Sequence, residues 1–221
     1  MNIVLDLPAC GLRAFYYWGM YSEIRKKDTW TVVRVQGRSA GAIIGICILC
    51  AMTDAHVIDM YHQVQEANKT LYIADAFCRV LSSFLPADAY RRCSGRLFIT
   101  SSILGCFSTT TSVFRDNRHL LETVRVSGSL PCITTARLYF THGVLPILDG
   151  CFHDCFHRRT GTPCTSPTDC TARLHTLHLR APPTSWPDAI PVSAHHPLLV
   201  VRRAIARGAI DFTQEPQHWT H

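Results

Sequence analysis

A chain of 221 residues with 47% apolar and 17% charged residues suits one globular domain with a sizeable core and argues against general disorder. The net charge of +6, from 22 Lys and Arg against 16 Asp and Glu, arises from scattered basic residues with small groups at 25–27, 91–92, 158–159 and 202–203. No basic stripe with interleaved aromatics is present, which argues against nucleic acid as a partner. A mildly basic surface is compatible with anionic lipid headgroups.

The first residues, MNIVLDLPAC, carry Asp6 early and lack a basic start before a long apolar stretch, so no secretory signal is expected. The eleven cysteines, spread over the chain and often inside apolar segments such as GICILC, are accordingly read as reduced and mostly buried thiols. The longest apolar run, 40–52, is 13 residues, the length of a buried helix rather than of a bilayer span. An intracellular, cytoplasmic location is expected.

In chain order, NIVLDL (2–7) is a branched-aliphatic run broken by Pro8, a strand followed by a turn. Residues 12 to about 27 have helical spacing. TVVRVQ (31–36) is a second β-branched run ending at Gly37, and residues 40 to about 52 form a helix apolar on nearly every side. Thr53 and Asp54 can cap the next helix, DAHVIDMYHQVQEA. The stretch up to about Leu85 is also helical, with Pro86 ending it. RLFITSSIL (96–104) and TTSVF (110–114) are strand candidates, followed by a helix over DNRHLLETVRVS capped at Asp116 or Asn117. VLPILD (144–149) and LHTLHLR (174–180) are further strands, and after a proline-rich link HPLLVVRRAIARGAIDF closes as an amphipathic helix. Strands alternating with helices imply an α/β fold.

Three segments carry candidate chemistry. Gly37-Arg38-Ser39-Ala40-Gly41 matches G-x-S-x-G between a strand and a helix, the context of a nucleophile elbow. There the serine adopts a strained turn, its hydroxyl projects past the sheet, and the helix starting at Ala40 aims its positive end at the site. The alternative is a small-residue motif that lets a buried helix pack closely. Asp149 ends a strand and precedes Gly150; it is either a site residue emerging from the sheet or a turn aspartate of the ordinary Asp-Gly kind. Pro8-Ala9-Cys10-Gly11-Leu12-Arg13-Ala14 joins the first strand to the first helix, where backbone N–H groups and a helix terminus can face an oxyanion.

In this order, the three segments resemble the patatin-like phospholipase family, and most closely its adiponutrin-type branch in animals. ACGLRAFYYWGM is similar to that branch's oxyanion segment. QEANKTLY and FLPADAYRRCSGRLFITSS resemble its helical middle and the following strand. SGSLPC, ILDGCFHD and VVRRAIARGAIDF fit as well, so the resemblance covers nearly the whole chain. It implies a three-layer α/β/α patatin-like fold with a central mixed, mainly parallel sheet. It also implies a single domain over 1–221, with a core of about 1–180 and a closing helix of about 197–214.

The activity implied is that of a lipid acyl hydrolase, of the phospholipase A or triacylglycerol lipase type, with possible transacylation. Ser39 is the implied nucleophile and Asp149 the base, with no histidine and no cofactor required. Gly11, Leu12 and Arg13 form the implied oxyanion hole, and Gly37, Gly41 and Gly150 complete the motifs. The implied partner is a lipid ester substrate at a membrane or lipid-droplet surface. The chain departs from the family at Ala9 and Ala14, where the family has glycines, and at Cys151, where Gly or Ala is usual. Alanine must take negative φ at those positions or accept strain.

Two other readings compete. One is a catalytically weak or inactive lipid-binding scaffold with the same fold. The other is a zinc-stabilised interaction module built on CFHDCFHRRTGTPCTSPTDC (151–170), where Cys151, His153, Cys155, His157, Cys164 and Cys170 fall close together. A C-x₂-C knuckle is absent there, so a loop with incidental thiols is the expectation and no metal is assigned. His195 and His196 are expected to be solvated, Arg202, Arg203 and Arg207 to form the wet face of the last helix, and Phe15, Tyr16 and Trp18 to line the core or an acyl pocket.

Overall fold

A computed structural model describes residues 1–9, 11, 14–104, 107–141, 145–152, 175–178, 205–206 and 219–220. The chain is a mixed α/β protein built on an open, mixed sheet. Its elements are β1 (Asn2–Leu7), α1 (Ala14–Ile24), β2 (Thr31–Arg38), α2 (Ala40–Leu49), α3 (Asp54–Ala67), α4 (Ile73–Phe84) and α5 (Ala89–Cys93). Then come β3 (Leu97–Ile103), β4 (Phe107–Thr111), α6 (Asn117–Ser127), β5 (Tyr139–Thr141), β6 (Leu145–Leu148), β7 (His175–His178) and β8 (Trp219–Thr220).

The strand order is β5-β6-β3-β2-β1-β7-β8, with β4 paired to β3. Pairings β1–β2, β2–β3 and β1–β7 are parallel, whereas β3–β4, β3–β6, β5–β6 and β7–β8 are antiparallel. The expected mixed sheet is thus present, with a parallel centre and antiparallel pairings at both ends. β1 lies in the middle, which is why NIVLDL buries both its faces and reads as a continuous apolar run rather than an alternating one.

The register of β3 brings distant segments together. β4 occupies one edge of β3 from Ile99 to Ile103, so β2 and β6 must share the other. On that edge Arg38 of β2 lies opposite Thr100, and Leu148 of β6 lies opposite Ser102. The two strands approach from opposite directions and end against each other. Whatever follows Arg38 thus meets whatever follows Leu148.

α2 is apolar all round because it is buried all round, from Gly41 to Cys50. Gly45 allows the close approach: a Cβ there would lie 2.8 Å from Leu97 Cδ1 and 3.0 Å from Val35 Cγ1. Trp18 of α1 is fully buried and its Nε1–H donates to Asp54 Oδ1 at 2.8 Å, while Phe15 meets Tyr61 edge-on at 4.8 Å between centroids. Phe15, Tyr16 and Trp18 are all core residues. Caps set the helix starts. Thr53 Oγ1 accepts from His56 N–H in a capping box, and Asp116 Oδ1 accepts from His119 N–H at 2.7 Å.

Of the expected closing helix, only 205–206 are described; they are helical, with the Ile205 carbonyl against Gly19 of α1. The rest of 197–214, including Arg202, Arg203 and Arg207, lies outside the described residues, as do His195 and His196. Among the described residues no helix is long and apolar enough to cross a membrane.

Candidate active site

The sequence 37–41 folds as an elbow because its two glycines remove the atoms that would collide. A Cβ on Gly37 would lie 2.6 Å from Ala42 Cα, and one on Gly41 would run into the carbonyls of Leu7 and Pro8 at the end of β1. Ser39, the N-cap of α2, sits between them at φ 51, ψ −129. A left-handed φ in a residue with a Cβ costs on the order of 1–3 kcal/mol and survives only where surrounding contacts enforce it. Ser39 makes no side-chain cap to its own helix, so its hydroxyl is free for other chemistry.

That hydroxyl donates to Asp149 Oδ2 at 2.6 Å, across 110 residues of sequence. The distance is that of a charge-assisted O–H···O⁻ bond. Asp149 directly follows β6 and is 4% exposed. Burial raises its pKa above the ordinary carboxylate value, because a charged carboxylate is disfavoured away from water; the Ser39 hydroxyl and the Cys151 N–H and thiol oppose that shift by bonding the charged form. The Cys151 N–H donates to Asp149 Oδ1 at 2.8 Å, so both carboxylate oxygens are engaged. The carboxyl is thus a stronger base than a solvated one, fixed on the serine proton.

Gly150 also belongs to the site. A Cβ there would lie 2.6 Å from Thr100 O and 3.1 Å from Arg38 Cβ. Arg38, the variable residue beside Ser39, is buried and pairs through Nη1 with Asp6 Oδ1 at 2.9 Å. This nearly buried ion pair ties β1 to β2 just below the elbow.

The end of α6 supplies contacts that the motifs do not reveal. The Ser127 Oγ accepts from Ser39 N–H at 2.9 Å and donates to Thr100 O at 2.6 Å. Ser127 O accepts from Gly150 N–H at 3.0 Å, and Ser129 O accepts from Asp149 N–H at 2.9 Å. SGSLPC has no feature of its own that marks this role; a serine before a helix-ending glycine is too common to single out. The Ser129 hydroxyl is buried and has no hydrogen-bond partner among the described residues.

Of the expected oxyanion residues, Gly11 is exposed at φ 57 in the turn after β1, and that turn lies against the elbow through Leu7, Pro8 and Gly41. Leu12 and Arg13 lie outside the described residues. Ala9 and Ala14 are not among the residues of positive φ, and Ala14 begins α1, so neither carries left-handed strain. Cys151 is half-buried and contributes its N–H to Asp149. His153, Cys155, His157, Cys164 and Cys170 lie outside the described residues; among the described ones no group of three or more His, Cys, Asp or Glu side chains could hold a metal. Four of the six described cysteines are buried.

Arranged this way, the site can deprotonate a serine without histidine and present the resulting oxygen above a helix N-terminus. In comparison with known proteins, the chain matches no protein-family model and no curated protein.

Proposed function

We propose that this chain is a lipid acyl hydrolase of the patatin-like type, with a three-layer α/β/α fold and a Ser39–Asp149 dyad. The observation that carries the reading is the 2.6 Å bond from a serine held at φ 51 to a buried carboxylate. A packing serine needs neither the strain nor the base.

Ser39 Oγ attacks the ester carbonyl carbon as its proton passes to Asp149. The tetrahedral oxyanion is held by backbone N–H groups around Gly11, Leu12 and Arg13, a donor of this kind being worth roughly 3 kcal/mol of barrier. Collapse expels the alcohol or lysolipid, which takes the proton from Asp149 and leaves an acyl-serine. Water then attacks the acyl group, gives its proton to Asp149, and Ser39 recovers it as the fatty acid departs. Another acyl acceptor in place of water makes the same chemistry a transacylation. No cofactor enters either half.

A lipid ester is supported as substrate class by the resemblance in sequence and by the surface at the same end of the sheet. Leu104 and Phe107 at the β3–β4 turn, with Phe140 and Leu145 at the β5–β6 edge, are exposed and extend past the level of Thr100, where the elbow begins. No Asp, Glu, Lys or Arg interrupts residues 97–114. Such a rim suits a substrate presented at a lipid surface. The test is hydrolysis of p-nitrophenyl butyrate and of phosphatidylcholine by wild type, Ser39→Ala and Asp149→Asn. Activity in wild type alone supports the reading; equal activity in all three overturns it.

A further inference from the structure

Ser127 performs no step above, yet it is bonded to both halves of the site. It is the last residue of α6 and is fully buried. A hydroxyl has one proton and two lone pairs. Donation to Thr100 O at 2.6 Å fixes the proton, which leaves a lone pair for Ser39 N–H at 2.9 Å. The direction of both bonds is therefore determined.

Ser39 N–H has no place in the regular ladders. The β1–β2 pairing ends at Gly37 and the β2–β3 pairing at Arg38, so the next N–H lies beyond the sheet. It also precedes the first turn of α2, where no earlier carbonyl can receive it. Ser127 Oγ meets that donor from a different element, while Ser127 O receives Gly150 N–H, next to the base. One residue thus fixes the backbone on the nucleophile side and on the carboxylate side.

We propose that Ser127 is a positioning residue for the Ser39–Asp149 pair, its hydroxyl holding the elbow backbone in the left-handed conformation that keeps Ser39 Oγ against the carboxylate. This inference rests on the hydrolase reading for its catalytic consequence, though not for the geometry. It also makes the C-terminus of α6 the element that sets the dyad.

The experiment uses the full chain and compares Ser127→Ala, Ser127→Cys and Ser127→Thr with Ser22→Ala. Ser22 is a buried serine of α1 that donates to Gly19 O at 2.7 Å and controls for losing an equivalent bond away from the site. The readouts are kcat and KM for p-nitrophenyl butyrate, the labelling rate with a fluorophosphonate, Tm, and amide hydrogen exchange at Ser39.

Ser127→Ala is expected to lower kcat and labelling by about tenfold or more with KM unchanged, since small misplacements of reacting groups have effects of that order. Exchange at Ser39 N–H should quicken by about tenfold while the middle of α2 keeps its protection. Ser127→Thr, which retains donor and acceptor, should recover most of kcat, and Ser22→Ala should keep kcat whatever its Tm. Should Ser127→Ala fail to fold, Ser127→Cys carries the same comparison through its weak thiol acceptor. The proposal is overturned if a folded Ser127→Ala or Ser127→Cys keeps wild-type kcat and Ser39 exchange, or if kcat simply follows Tm across all four variants. A wild type that is inactive and unlabelled defeats the hydrolase reading alone; accelerated exchange at Ser39 in Ser127→Ala then still supports the positioning role, and unchanged exchange overturns it.

Discussion

Gly150 lies directly on the side chain of Arg38, so that a Cβ at Gly150 would come 3.1 Å from Arg38 Cβ and 2.6 Å from Thr100 O. The glycine after Asp149 is thus required by the residue before Ser39. Thr100 O is backbone and cannot swing aside. Gly150→Ala should cost about 1–3 kcal/mol of stability, the usual range for overpacking, and should part Asp149 from Ser39. Denaturant unfolding and ester hydrolysis of the variant check both effects.

The strain at Ser39 is measurable apart from its chemistry. Ser39→Ala and Ser39→Gly both lose the bond to Asp149, but only glycine accepts φ 51 without penalty. Ser39→Gly should therefore be the more stable of the two by about 1 kcal/mol, against the ordinary preference for alanine. Urea unfolding of the pair tests this, and an alanine variant equal to or more stable than the glycine one would mean that the elbow is unstrained.

Asp149 trades stability for basicity. Burial raises its folded pKa above the unfolded value, so its stabilising contribution is present at pH below the unfolded pKa and is lost as pH rises through the folded pKa. Asp149→Asn removes that ionisation. The Tm of Asp149→Asn relative to wild type should rise from acid toward neutral pH, while its hydrolysis is lost throughout. A relative Tm that falls with pH would show a carboxylate stabilised in its charged form.

The same carboxyl should govern the acid limb of the rate profile. In the proposed hydrolysis Asp149 acts as base only when ionised, so kcat/KM should fall with decreasing pH through a midpoint above the roughly 3.9 of a free aspartate. Cys151→Ala keeps the backbone N–H bond but removes the thiol's contribution to the charged form. Its midpoint should lie higher than that of wild type in parallel kcat/KM profiles.

The elbow was legible in the sequence because its signals are local: two small residues around a serine, a β-branched run before it and a uniformly apolar helix after it. The caps at Thr53 and Asp116 were legible for the same reason. The second strand of the β3 hairpin was expected at 110–114 but runs from Phe107 to Thr111, since its register is set by pairing Thr111 with Ile99 rather than by the residues themselves. Val113 and Phe114 lie past its end, and Phe114 is anchored in the core instead, its N–H bonded to Ser94 Oγ at 3.0 Å. The short elements α5 and β5 carry too few residues for a periodic signal. Nothing near Leu148 announces an antiparallel pairing with β3, though that pairing delivers Asp149 to Ser39. Ser127 is hidden for the same physical reason: its role consists of bonds to Ser39 and Thr100, neither of them close in sequence.

The most direct measurement of the central claim is intact mass after treatment with a fluorophosphonate, with the adduct located by peptide mapping. The account predicts one phosphonyl group per chain, on Ser39, absent from Ser39→Ala and strongly slowed in Asp149→Asn. A wild-type chain left unmodified, or an adduct that persists in Ser39→Ala, would contradict it.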